Sequence, residues 1–545
     1  MISRSTYFLS ALLIFFAGVS TPSSADWLTE LQSLPVQDAG RVKPFDTFAR
    51  EAMQLVYGKR KFNQSEAAEV VLTWIVTPDL WASAPIIEIR HSGLKEAMSV
   101  EKEKRYFSMS ELLGNVKLPL VFGELQNRRE RQEKLNPYFQ AVQRLENQLG
   151  ILQVLAQEGA PGMVPPKEGD KWLAPRDFSD PMKEKFSSLV QAFVAYATNK
   201  NSADAEKSLE SSIIDFRQAA TEEGRALSKS QVTRVNLEVH YNIFHPFLWS
   251  WISYLIGVIL MGAFMIRGYH WQSVGGWIFL ALGFALHTYG MGMRMYLAER
   301  PPVSNMYETV VWVPWGAILF GYVLERLQKN KLVLVSSAAI AVVCLILTDL
   351  APAVLDPSIH PLEPVLRSTF WLTTHVLIIT ISYAAFFLAF ALGDLLLFYY
   401  LVDEDKYAVQ IRNGVQSIYR CLQIGVVLLA AGIILGGVWA DYSWGRFWGW
   451  DPKETWALIA LLGYIAILHA RIVGWIKPFG MALSSVLSFS LVIMAWYGVN
   501  FVLGAGLHSY GFGAGGVEYV TGFVVLHILY ATYVTTVRYG RRKRS

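Results

Sequence analysis

The chain has 545 residues, 53% of them hydrophobic and only 17% charged, with 18 Trp, 25 Tyr and 30 Phe. A soluble globular domain carries roughly a quarter charged residues, so a wholly soluble protein is excluded and lipid must be part of the solvent. The net charge of +4 says little by itself, because in a membrane protein the placement of Lys and Arg matters more than their sum, and nothing in it marks nucleic acid as a partner.

Met1 to Arg4 form a short basic region, Tyr7 to Val19 an apolar stretch, and Ser23-Ser24-Ala25 a small-residue site before Asp26. This pattern predicts a signal peptide over residues 1–25, too short to span comfortably. An uncleaved anchor is the alternative, and either one exports the residues after Ala25. Residues 26–245 are charged and helix-friendly. Leu34 to Pro44 is turn-rich, with a helix predicted from Asp46. Residues 124–157 have helical spacing, Pro161 to Asp180 is a proline-rich loop, and two helical patterns run from 182 to 224. No strand-rich region is evident, so a mainly helical extracytoplasmic domain is expected. It contains no cysteine and therefore no disulfide. Cys344 and Cys421 lie in apolar runs and no Cys-x-x-Cys occurs, so the chain is not itself a thiol oxidoreductase.

From Phe247 on, nine apolar runs approach the ~20 residues a bilayer requires: 247–266, 274–293, 306–325, 332–350, 370–400, 419–439, 456–476, 480–503 and 518–537. With the N-terminal domain outside, the cytoplasmic connections are 267–273, 326–331, 403–420, 471–478 and the basic tail 538–545. Those segments hold 14 Lys and Arg, against five in the short outer loops (Arg294, Arg300, Arg367, Arg446 and Lys453). The positive-inside rule and the signal peptide thus give the same orientation. The expected architecture is all-α, a transmembrane bundle over 246–537 preceded by an exported domain.

Between the sixth and seventh runs lies Trp439-Ala440-Asp441-Tyr442-Ser443-Trp444-Gly445-Arg446-Phe447-Trp448-Gly449-Trp450-Asp451-Pro452-Lys453-Glu454-Thr455-Trp456. An interfacial aromatic belt would explain tryptophans at a membrane boundary, but not their density in one loop or the glycines between them. Flat faces at close spacing, with glycines letting backbone approach, suit a large planar apolar ligand such as a porphyrin. The Asp451 end has a plainer use as well. Asp451 as N-cap, Pro452 first and Glu454 third make a capping arrangement for the next helix.

This loop resembles the tryptophan-rich "WWD" motif of the haem-handling family that includes CcsA/ResC of System II cytochrome c assembly and CcmC and CcmF of System I. The resemblance covers about residues 240–537. It includes Arg300-Pro301-Pro302-Val303-Ser304-Asn305-Met306-Tyr307-Glu308 and Pro361-Leu362-Glu363-Pro364-Val365-Leu366-Arg367-Ser368, which read like outer loops of CcsA. The stretch from Pro35 to Arg50 is similar to the exported extension of longer CcsA-like proteins. The resemblance implies that His375 and His508, on the loop's side of the membrane, are the axial ligands of a bound haem. It also implies that His469 is a transmembrane haem ligand. His287 is a second intramembrane candidate, and either it completes that inner site or a CcsB/ResB-like membrane partner supplies the ligand. Trp444, Trp448 and Trp450 are the expected haem platform, with Asp451 beside it. Arg446, Lys453, Arg294, Arg300 and Arg367 are candidate contacts for the haem propionates.

The function these features imply is c-type cytochrome biogenesis. Ferrous haem b would be delivered across the membrane and presented to the Cys-x-x-Cys-His segment of apocytochrome c, with a separate thiol reductant. Cytochrome c synthase activity, alone or with a CcsB-like partner, is left open. The alternative is a bis-His membrane electron-transfer cytochrome, which would hold haem permanently and have no need of the tryptophan loop.

Overall fold

Asp38-Ala39-Gly40-Arg41 can reverse the chain in two residues because Ala39 and Gly40 both take positive φ (49° and 77°), as a tight antiparallel hairpin requires. Strands Pro35–Asp38 and Arg41–Pro44 pair through it. The turn-rich stretch is therefore a hairpin, with strands too short to show a period-2 pattern. Pro44 then caps helix Phe45–Val56, whose Phe45, Phe48, Ala49, Ala52, Met53 and Val56 recur at helical spacing and are buried. The computed structural model describes residues 26–131, 133, 135–351, 354–362, 368–503 and 516–544. The expected signal peptide over residues 1–25, His508 and Arg367 lie outside them.

Two compact units divide the chain, one ending at Asn242 and the other starting at Ile243. The first is helical, with three two-stranded ribbons among the described residues. The helical pattern of 124–157 is two helices, Leu118–Glu130 and Pro137–Ala156. The break comes where Asn136 caps the second through its side chain and Pro137 occupies the first turn. Helices Asp180–Thr198 and Ala203–Glu223 come next, capped by Ser179 and Ser202. Within this unit Glu238 is buried. It accepts two hydrogen bonds from Arg41 (2.9 and 2.6 Å) and one from Thr47 Oγ1 (2.9 Å), tying the hairpin to helix Lys229–Phe244.

In the second unit nine helices among the described residues are long and apolar enough to cross a membrane, and the chain is a multi-pass, all-α membrane protein. The first span, Pro246–Arg267, begins after His245 in left-handed conformation. The others are His270–Ala298, Met306–Gln328, Lys331–Leu350, Leu372–Val402, Ala408–Trp444, Pro452–Ile472, Pro478–Leu503 and Val517–Arg541. The sixth is longer than its apolar run, at 37 residues or about 55 Å at 1.5 Å per residue. Its charged first turns, with Arg412 and Arg420, continue the helix instead of forming a connection, and its last turn takes in Trp439 to Trp444.

Spans five and six pack closely because small residues line the contact. A Cβ on Gly425 would meet the Phe386 ring at 2.5 Å, and one on Gly432 would meet Ile379 at 3.0 Å. With no difference in apolarity between lipid and side chains, such close backbone approach is what holds membrane helices together. Phe386 stacks on Tyr464 of the seventh span (3.8 Å, 5°), and Phe387 stacks on Phe489 of the eighth (4.9 Å, 8°). These contacts pack spans five to eight together along their middle turns.

Candidate functional site

Gly445 ends the sixth span in left-handed conformation (φ 68°), its N–H donating to Asp441 O. The chain then turns back on Glu454. That carboxylate accepts from the Arg446 guanidinium (3.2 Å), from the Gly449 N–H (2.8 Å) and from the Asp451 N–H (3.3 Å). Arg446 lies across the loop so tightly that a Cβ on Gly449 would fall 1.6 Å from its Nη1, which only glycine avoids. Asp451 Oδ1 accepts from the Lys453 N–H (2.9 Å), and the capping box expected at Asp451, Pro452 and Glu454 is present. Arg446 is thus committed to the inside of the loop. Its charge is partnered by Glu454 and its guanidinium lies 5.6 Å from the Trp444 ring centre.

The loop roofs an open-mouthed, mainly apolar pocket. Trp439, Trp444, Trp448, Trp496, His375 and Lys453 are in its wall. Trp448 meets Trp450 edge to face (5.9 Å, 90°), but Trp450 itself is 70% exposed and is not among the lining residues. His375 sits in a π-helical turn, Leu372–Val376, at the start of the fifth span. Such wide turns recur at functional sites. Its Nδ1 lies 2.8 Å from Gly432 O. A carbonyl can only accept, so Nδ1 carries the proton, and the neutral ring then has its lone pair on Nε2, the arrangement that a carbonyl partner imposes on ligating histidines. The ring fits because Gly436 has no Cβ, which would approach His375 Cε1 to 2.6 Å.

A buried ion pair holds the opposite wall. Arg294 Nε donates to Glu308 Oε1 (2.9 Å) and Arg294 Nη1 to Pro357 O (2.7 Å), while Ser304 N–H and Oγ donate to Glu308 Oε2 (2.8 and 2.6 Å). Val303 to Met306, which line the pocket, are fixed by these bonds. Arg294 is directed to this clasp and is not among the lining residues.

Residues 303–508 match the family described as Cytochrome C assembly protein. Over 275 residues the chain is 34% identical to the cytochrome c biogenesis protein CcsA of Synechococcus sp. (strain CC9605), covering 44% of this chain and 88% of that protein. The chain belongs to the CcsA-type cytochrome c biogenesis family. A further relative is the CcsA of Prochlorococcus marinus (strain NATL2A), 36% identical over 261 residues, 40% of this chain and 79% of that one. Protein NrfI of Wolinella succinogenes is 29% identical over 504 residues, 86% of this chain. A match of that extent takes in most of the residues before Ile243, but the chain spans only about half of NrfI, 53% of its length.

Other residues of this CcsA-type chain lie away from the pocket. His469 is exposed near the far end of the seventh span, with Nδ1 donating to Ile465 O at 2.9 Å. It is 18 residues beyond Asp451 (469 − 451), about 27 Å along a helix. His287 is fully buried. Nε2–H donates to Val311 O (3.0 Å) and Nδ1 accepts from the Tyr254 hydroxyl (3.3 Å), so both nitrogens are engaged by protein groups. The pocket adds residues the sequence had not singled out: Trp496 and Asn500, four apart on the π-helical end of the eighth span, Met494–Leu503. The available signal was an asparagine near the end of an apolar run, one turn after a tryptophan. Asn500 Oδ1 receives the Lys453 ammonium at 3.1 Å.

Proposed function

We propose that this protein binds haem b as cargo in the tryptophan-loop pocket, with His375 and His508 as axial ligands, and presents it for covalent attachment to apocytochrome c. The observation that supports this most is His375. Its hydrogen bond to Gly432 O sets the tautomer with the Nε2 lone pair, inside a wall that also carries Trp444 and Trp448. Four tryptophans, a tyrosine and an imidazole around one pocket suit a planar apolar macrocycle, and the lysine suits its carboxylates.

The loop faces the extracytoplasmic side of a bacterial-type cytoplasmic membrane in this reading, which the 14-to-five division of Lys and Arg supports. Haem travels from the other side by way of His469. With both nitrogens of His287 engaged, a CcsB/ResB-like partner is the source of the second inner ligand. The attachment step adds each cysteine S–H across a haem vinyl group, sulfur to one carbon and hydrogen to the other. That addition involves no net redox change, so a separate reductant need only keep the thiols and the iron reduced. The protein's contribution is positioning, with the iron held and the vinyl groups turned toward the Cys-x-x-Cys-His segment. Synthase activity belongs to this chain alone or to it with its partner.

The test is maturation of a co-expressed apocytochrome c by His375→Gly and His508→Gly variants. We expect loss of covalent haem in each and partial recovery with added imidazole. Undiminished maturation would overturn the assembly reading. A permanently bound haem that is never transferred would favour a membrane electron-transfer cytochrome.

A further inference from the structure

Lys453 is the second residue of the seventh span, and its side chain turns into the pocket wall. An ammonium has three protons to donate, and this one donates to Asn500 Oδ1, 3.1 Å away. The Asn500 amide is oriented for it, since its Nδ2 donates to Trp496 O (3.3 Å) and so turns Oδ1 toward the lysine. The two neighbouring carboxylates are already committed. Asp451 caps the helix, and Glu454 holds Arg446 and two loop N–H groups. Asp451 lies near enough to attract the ammonium through space, but no carboxylate among the described residues pairs with Lys453 within 4.0 Å. The surrounding wall is Trp444, Trp448, Trp496 and Ala457. A cation held by one neutral acceptor in an aromatic wall is a costly arrangement unless an anion completes it.

We infer that Lys453, held by Asn500, is the receptor for one carboxylate of the ligand in this pocket. The inference rests on the haem reading above and adds to it an end-on orientation: one acid edge lies at the Lys453–Asn500 pair. Arg446, the other cation of the loop, is folded onto Glu454. Asn500 reaches Lys453 from the π-helical end of the eighth span, so that wide turn and the one carrying His375 each deliver a polar group to one site. Asn500 is a positioning residue, acting through Lys453.

The experiment is equilibrium binding to the purified full chain in nanodiscs, with partition into empty discs subtracted. Iron protoporphyrin IX is compared with its dimethyl ester, which keeps the ring and iron but lacks both acids. The wild type should favour the diacid by about tenfold, the scale of one charge-assisted hydrogen bond. Lys453→Met should bring that ratio close to one while leaving ester affinity and the iron absorption spectrum unchanged. Lys453→Arg should keep most of the preference. Asn500→Leu should reduce it severalfold, which serves as the second variant if Lys453→Met does not fold. His375→Gly should alter the iron spectrum and leave the diacid-to-ester ratio in place. An undiminished ratio in Lys453→Met, or in Asn500→Leu where Lys453→Met is unfolded, overturns the inference alone. Failure of the wild type to bind either compound overturns the haem reading with it.

Discussion

Gly436 contributes nothing to the pocket but space, and that space is where the His375 ring lies. Alanine there would ordinarily favour a helix by about 0.5–1 kcal/mol, yet its Cβ would lie 2.6 Å from His375 Cε1. We therefore expect Gly436→Ala to leave thermal stability within about 1 kcal/mol of the wild type while weakening haem binding about tenfold. Titration by absorption checks it, and unchanged affinity would mean that the imidazole is not the iron's ligand. Arg294 gives the opposite kind of residue, important for the wall without touching the ligand. Arg294→Met strands the buried Glu308 carboxylate, which then keeps only the bonds from Ser304 N–H and Oγ. Breaking one side of a buried pair costs about 3–5 kcal/mol, so the variant should melt well below the wild type. Adding Glu308→Gln should recover part of the loss, because the stranded charge is gone. A double variant no better than the single would show that the arginine's bond to Pro357 O carries the stability instead.

At the scale of elements, the loop between spans six and seven is a closed hydrogen-bonded unit around Glu454. Replacing Glu454 by Leu removes three acceptances at once and leaves Arg446 unpaired, each lost bond costing about 1–3 kcal/mol where its donor stays buried. Trypsin should then cut after Arg446 or Lys453 much faster than in the wild type, and Glu454→Gln should be intermediate because it still accepts from the backbone. Equal cutting of Glu454→Leu and wild type would remove Glu454 as the organiser of the loop. Much of this element was readable in the sequence. The capping order at Asp451, Pro452 and Glu454 is local chemistry, and the spans come from length and apolarity alone. The pairing of His375 with Gly432 and Gly436 was not readable, because it depends on how two helices cross. Nor were Trp496 and Asn500, hidden in a run that reads as uniformly apolar. Nor was the pairing of Arg446 with Glu454 readable, since a cation in a ligand loop and a cation that builds the loop look the same until its carboxylate is found. The sixth span was read too short because its charged first turns break the apolar pattern without breaking the helix.

For the whole molecule, orientation is the property on which the proposed function depends most, since haem must be offered on the side where the apocytochrome is. The two native cysteines make this measurable with little background. Cys344 and Cys421 are free and buried, at 8% and 0% exposure. A water-soluble maleimide cannot reach thiols so enclosed and should leave both untouched. Tyr442, at the tryptophan-loop end of the sixth span, is 81% exposed, and Trp475, in the turn between spans seven and eight, is 85% exposed. Tyr442→Cys should be labelled in intact spheroplasts by a membrane-impermeant reagent, and Trp475→Cys only after the membrane is opened. The two positions bracket the seventh span, so a bilayer between them must separate their reactivities. Labelling of Trp475→Cys in intact cells with Tyr442→Cys protected would invert the topology, set the loop facing the cytoplasm and leave the pocket on the wrong side to meet an exported apocytochrome.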